Sequence, residues 1–165
     1  MSTHVVDLAD RDQVDGLAVD VLDQHETISL LVNNAGVALG GRFEELSAED
    51  VDWLLQINLH APIALVRAFL PALTARPGGH IVNVSSLFGL IAPPGQTAYA
   101  TSKYGLRGFS QALRHELADR GVGVTSVHPG GVRTRIALDS RTGEGLDEQE
   151  AKAGREAFDR LLRID

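Results

Sequence analysis

The sequence predicts an α/β fold in the form of a doubly wound parallel sheet, on three observations. Short apolar runs alternate with longer segments of helical periodicity. The run 28–32 is apolar almost throughout, as in a strand buried on both faces of a parallel sheet. Polar or glycine-rich turns follow the runs where strand-to-helix connections would fall, at 33–36, 85–86 and 129–134.

In order along the chain, His4-Val5-Val6-Asp7 reads as a short strand ending in an acid. A helix follows from 12 to about 25, with Val14, Leu17, Ala18, Val21 and Leu22 at helical spacing. The second strand, 28–32, ends in the turn Asn33-Asn34-Ala35-Gly36. Ser47 and Asp50 form a capping-box pattern that opens a long helix to about residue 75, carrying Val51, Leu54, Leu55, Leu59, Leu65, Val66, Phe69 and Leu70. Pro62 follows Asn58 by four residues inside it. Proline has no N–H for the Asn58 carbonyl and clashes with it, so a kink is expected there. Pro77-Gly78-Gly79 ends the helix, and 81–86 is the third strand. The loop 89–95 leads to a helix over about 99–120, packed through Leu106, Phe109, Leu113 and Leu117 and closed at Gly121. The fourth strand, 123–128, is broken by Pro129-Gly130-Gly131. A polar loop over 139–145 and a charged amphipathic helix from about 147 to 163 complete the pattern.

At 165 residues, with 44% hydrophobic and 22% charged residues, one domain is expected. A net charge of −7 argues against a nucleic-acid partner, which needs clustered Lys and Arg. No uninterrupted apolar run approaches the roughly 20 residues that span a bilayer, so no membrane partner and a cytoplasmic location are the defaults. The absence of cysteine removes disulfides, thiol nucleophiles and thiolate metal sites, and none of the six histidines pairs at helical ligand spacing, so no metal is expected.

Tyr99 and Lys103 lie four apart on the predicted helix with Ala100, Thr101 and Ser102 between, which stacks phenol and ammonium on one face. Alone, the pair reads more readily as a tyrosine packed on a lysine stem than as proton-transfer machinery. Likewise Ser85-Ser86 alone is a strand-end turn, Asn33 to Gly36 an Asx-type turn, and Asp7 a solvated strand end. What alters the weighing is that the three turns lie at the carboxyl ends of strands, where open α/β sheets bind ligands.

Five segments in order, Asn-Asn-Ala-Gly (33–36), Asn58 within the long helix, Ile-Val-Asn-Val-Ser-Ser (81–86), Tyr99-x-x-x-Lys103 and His-Pro-Gly-Gly-Val-Arg-Thr (128–134), resemble the short-chain dehydrogenase/reductase family. The resemblance implies a Rossmann-like fold, NAD or NADP as cofactor, and hydride transfer between the nicotinamide and an alcohol or ketone. It implies that Tyr99 is the general acid/base, that Lys103 lowers the tyrosine's pKa and contacts the nicotinamide ribose, and that Ser86 holds the substrate oxygen. The Asn58 carbonyl would bind a water that extends the proton relay. On the cofactor side, Asp7 with Leu8 would meet the adenine; Asn33, Ala35 and Gly36 the ribose and phosphates; and Pro129, Gly130, Val132 and Thr134 the carboxamide. A homodimer or homotetramer through the two long helices is implied, and Leu87, Phe88, Leu90, Ile91 and Leu138 suggest an apolar substrate.

The family's opening strand, glycine-rich turn, helix and second strand have no counterpart in these 165 residues. The expected unit is therefore one incomplete Rossmann-like domain over 1–165, cut short at both ends, with a core at 1–134 and a variable substrate-covering segment at 135–165. With strands about 4.8 Å apart, two absent strands leave a gap of roughly 14 Å, so the strand at 4–7 must re-pair or detach. A second reading follows: a catalytically silent fragment unable to bind cofactor, at most an interaction protein.

Overall fold

The structure, a computed structural model, describes residues 1–132, 135–143, 149 and 152–156. In chain order the elements are α1 (Arg11–Gln24), β1 (Leu30–Asn33), β2 (Leu39–Gly40), α2 (Ala48–Leu55), a π-helical turn (Gln56–His60), α3 (Ala61–Thr74), β3 (His80–Val84), α4 (Thr97–Leu117), β4 (Gly123–Val127) and β5 (Arg141–Thr142). Strands β1, β3 and β4 form a parallel sheet in that spatial order, and β2 pairs with β5 in a separate parallel pair. Thr134 and most of the helix expected over 147–163 lie outside the described residues.

The register explains the core. Leu31, Ile81 and Val124 are aligned across the three strands and so share one face of the sheet. α3 and α4 cover that face and α1 packs on α3. Val14 and Ala18 of α1, Leu65, Val66, Phe69 and Leu73 of α3, and Leu113 and Leu117 of α4 close one buried cluster over Ile81 and Val124. A second cluster, with Leu39, Leu54, Phe88, Ala98, Tyr99 and Ala137, lies toward the carboxyl ends of the strands.

Two strand expectations are corrected. Residues 4–7 form no strand, and Val5 is 96% exposed. The segment stands apart from the sheet, the detachment that the sequence allowed for, and Asp7 makes a turn in which its carboxylate accepts from the Ala9 N–H at 2.9 Å. Nor is β1 buried on both faces: Leu30 and Val32 are 55% and 49% exposed. They share the face opposite Leu31, which no helix among the described residues covers, and β1 is the sheet edge.

The helix signals hold closely. Asp10 caps α1 by accepting from the Asp12 and Gln13 N–H groups, and the Ser47 hydroxyl accepts the Asp50 N–H at 3.0 Å. Around Asn58 the helix widens into the π turn, in which the Ala61 N–H reaches the Gln56 carbonyl. The proline-driven irregularity thus takes the form of a bulge. The continuous run Ala48–Thr74 is long and apolar enough, by length and composition alone, to cross a bilayer, although Glu49, Asp50, Asp52, His60 and Arg67 interrupt its apolar residues. Here its apolar side supplies much of the core. Gly121, at φ 69°, closes α4 in the left-handed region that glycine adopts freely.

Candidate active site

The site forms where β1, β3 and β4 end. The last bonds of the sheet continue past its strands: the Ser85 N–H donates to the Val127 carbonyl at 2.8 Å and the Leu87 N–H to the Pro129 carbonyl at 2.9 Å. The His128 ring joins them, its Nδ1 3.1 Å from the Ser86 carbonyl and its Nε2 3.0 Å from Ser126 Oγ. A carbonyl can only accept, so Nδ1 carries the proton in that pair.

The two adjacent serines do different work. Ser85 is buried and donates to the Lys103 main-chain carbonyl at 2.9 Å, fastening α4 to the end of β3. Gly89 makes room for it, since a Cβ there would stand 2.4 Å from Ser85 Oγ. Ser86 turns the other way: its oxygen accepts the Phe88 N–H at 3.1 Å and hydrogen-bonds Tyr99.

Tyr99 and Lys103 lie on the first turns of α4, both buried. The Lys103 ammonium stands 5.6 Å from the centroid of the Tyr99 ring and donates to the Val84 carbonyl at 3.2 Å. Burial depresses its pKa to about 8, so it remains largely charged at neutral pH. Burial also raises the Tyr99 phenol above its ordinary value, and the Ser86 hydrogen bond opposes this only in part. The expected lowering of the tyrosine by its lysine is not found: loss of water raises the phenol, and the cause that opposes it is the Ser86 hydrogen bond. A neutral phenol beside an ammonium is set up to give a proton rather than to take one.

Asn58 stands behind the pair, fully enclosed. Its side-chain amide grips the Val37 backbone at both ends, donating to the Val37 carbonyl and accepting the Val37 N–H, each at 2.9 Å. It also reaches Ser102 Oγ at 3.3 Å, and Ser102 donates to the Tyr99 carbonyl at 2.7 Å. One amide therefore locks the turn after β1 to α4. Gly36 sits in that turn between the two functional groups: a Cβ there would lie 3.2 Å from Asn58 Oδ1 and 3.3 Å from Lys103 Nζ.

These groups border a cavity of about 540 Å³ lined by residues 34–38 and 84–86, Tyr99, Lys103, Pro129, Gly131, Val132, Ile136 and Asp139. Of the residues picked from sequence, Ala35, Gly36, Ser86, Tyr99, Lys103, Pro129 and Val132 line it. Asn58 backs it, and Gly130 lies in the same turn as its lining neighbours, against Leu87. Asn33 does not face it. Its side chain donates to Asn83 Oδ1 at 2.8 Å, and Asn83 donates to Ser110 at 2.9 Å, a buried chain that binds β1 and β3 to α4. Asp7 and Leu8 are not brought to the cavity either: Leu8 packs on the main core and its carbonyl accepts from Gln56. Sequence reasoning passed over Asn34, Val37, Ile136 and Asp139. The parallel pairing of β2 with β5 folds Ile136 and Asp139 over the cavity, and two-residue strands leave no periodic signal.

The family model described as short chain dehydrogenase matches residues 1–145. The chain is 40% identical over 161 residues to a putative oxidoreductase, SadH, of Mycobacterium tuberculosis, covering 96% of this chain and 57% of that protein. It is 34% identical over 155 residues to the dehydrogenase/reductase SDR family member 7B of Bos taurus, covering 91% and 48%. Among solved structures, a short chain dehydrogenase/reductase from Burkholderia phymatum in complex with NAD superposes with a TM-score of 0.84 at 30% identity, over 97% of this chain and 60% of that one. A metagenomic short-chain oxidoreductase in complex with NADP gives a TM-score of 0.74 at 34% identity, over 99% and 68%. The chain thus spans about half the length of these curated relatives.

Proposed function

Because the chain belongs to the short-chain dehydrogenase family, we propose that it serves an NAD(P)-dependent oxidoreductase that interconverts a small apolar ketone and its alcohol, with Tyr99 as the acid/base. The observation that carries this reading is the convergence of Tyr99, Lys103 and Ser86 on one cavity at the ends of the strands.

The nicotinamide and ribose end of a dinucleotide fits the residues present. The absent side chain of Gly36 leaves space directly against Lys103 Nζ, so the backbone of residues 34–36 and the lysine would hold the ribose. Pro129 and Val132 would flank the ring. For the pyrophosphate the fit is poorer: among the described residues no helix opens from a glycine-rich turn that directly follows a strand. When bound, the reduced cofactor supplies the hydride that goes to the carbonyl carbon. Every other part falls to the chain. Ser86 holds the carbonyl oxygen, and the Tyr99 O–H bond breaks as its proton passes to that oxygen. Lys103 stabilises the phenolate left behind, and the Asn58 carbonyl, which Pro62 cannot meet with an N–H, carries the relay onward through water.

Incubation with NADH or NADPH and a panel of apolar ketones tests the reading. Ketone-dependent loss of reduced-nicotinamide absorbance is expected, and no loss with any combination overturns it. The bare face with Leu30 and Val32 favours a second reading, a silent chain that at most binds a partner. Calorimetric titration with both dinucleotides separates the two, since saturable binding counts against silence. A homodimer or homotetramer in the cytoplasm, built through α3 and α4, goes with the first reading; a monomer by light scattering at micromolar concentration counts against it.

A further inference from the structure

We propose that Arg141 is a positioning residue that sets the outer wall of the substrate pocket, through a stacked and ion-paired contact with α2. The wall is the segment 135–143, which places Ile136 and Asp139 on the cavity opposite the groups of β3 and α4. Its backbone is tied down lightly. The Arg141 N–H donates to the Ala38 carbonyl and the Gly143 N–H to the Gly40 carbonyl, both at 3.1 Å. A ladder this short does not hold itself in water. Ala137, fully buried in the cluster that contains Tyr99, adds only a methyl group of packing.

Ile136 packs on the same cluster, and the Arg141 side chain supplies a polar hold in addition. Its guanidinium carbon lies 3.7 Å from the centroid of the Trp53 ring, and its Nη1 donates to Asp50 Oδ1 at 2.7 Å. The other Asp50 oxygen accepts from the Ser47 hydroxyl at 2.9 Å, so the carboxylate is fixed by the cap of α2 before the arginine reaches it. A planar guanidinium can stack on an indole and bind a carboxylate at its edge at once, whereas an ammonium cannot do both in one geometry. Arg141 does not itself line the cavity: its backbone N–H meets one lining residue, Ala38, and its side chain acts through the segment that carries Ile136 and Asp139. It therefore belongs to substrate affinity and not to the chemical step. This deepens the oxidoreductase reading and rests on it for the occupant of the pocket.

The test uses the 165-residue chain and its Arg141→Met and Arg141→Lys variants. Amide exchange at positions 141 and 143 is expected to quicken about tenfold in Arg141→Met and less in Arg141→Lys, with α4 amides unchanged as the control for folding. Iodide quenching of Trp53, the single tryptophan, rises in parallel. With NADPH and an apolar ketone, KM rises about tenfold in Arg141→Met while kcat stays within about twofold. Unchanged exchange at position 143, or kcat and kcat/KM falling together at constant KM, overturns the proposal. Absence of turnover in the native chain as well overturns the oxidoreductase reading instead, and the exchange result then decides the role of Arg141 alone.

Discussion

Replacing Lys103 by methionine removes the one buried ammonium at the centre of the site while keeping an unbranched apolar stem. In the folded chain Lys103 titrates near 8, against 10.5 when unfolded. At about 1.4 kcal/mol per tenfold, keeping it charged costs the folded state about 3 kcal/mol. The sign follows from the protons bound. Between pH 8 and 10.5 the unfolded chain holds a proton on this lysine that the folded chain has released, so native stability rises with pH across that window. Below pH 8 the cost is present in full and constant. The methionine variant has no such group, and its lost hydrogen bond to the Val84 carbonyl is a pH-independent offset of about 1 kcal/mol. Tyr99, raised by the same burial, acts in the other direction above pH of about 10, but it is common to both proteins and cancels. Urea denaturation at intervals from pH 7 to 10 therefore shows the native protein gaining on Lys103→Met by about 2.5 kcal/mol. Parallel stability curves would mean that Lys103 titrates as in water, and the reading of a desolvated, functional ammonium would fail.

Other substitutions test neighbouring parts of the site. Gly36→Ala drives a methyl group against Lys103 Nζ and Asn58 Oδ1, so dinucleotide affinity by calorimetry falls about tenfold or more while urea stability changes little. Asn58→Ala leaves the Val37 N–H and carbonyl without their partner and lowers stability by about 2–3 kcal/mol; Asn58→Asp, which can only accept, recovers at most the N–H half. His128→Asn keeps a donor for the Ser86 carbonyl and retains ketone KM, whereas His128→Ala raises it several-fold by freeing the end of β3.

What the sequence could express was what repeats locally. Ser47 before Asp50, the apolar spacing of Leu65, Val66 and Phe69, and the Pro62 break after Asn58 each act within a turn or two of helix, and each has its structural counterpart. The Tyr99 and Lys103 pair was legible for the same reason. Strand burial was not, because it depends on neighbours far away in the chain: Leu30 and Val32 look like a doubly covered strand, yet no helix among the described residues covers their side. His4 to Asp7 likewise read as a strand from its own residues, although pairing depends on strands that these 165 residues do not supply beside it. The tyrosine pKa went astray because a spacing of four shows the cation and not the loss of water around the phenol. A covering segment at 135–165 was expected, but what holds 135–143 was not legible, because it lies in Arg141 meeting Trp53 and Asp50, some ninety residues earlier in the chain.

Ketone reduction by the native chain and by Tyr99→Phe, measured beside dinucleotide affinity, bears most directly on the central assignment. The phenylalanine keeps the ring beside Phe88 and Lys103 and removes only the hydroxyl. Native turnover with a loss of about 100-fold or more in kcat for Tyr99→Phe, at dinucleotide affinity within a few-fold, is the predicted result. Turnover that survives in Tyr99→Phe contradicts it, because some other group would then be delivering the proton.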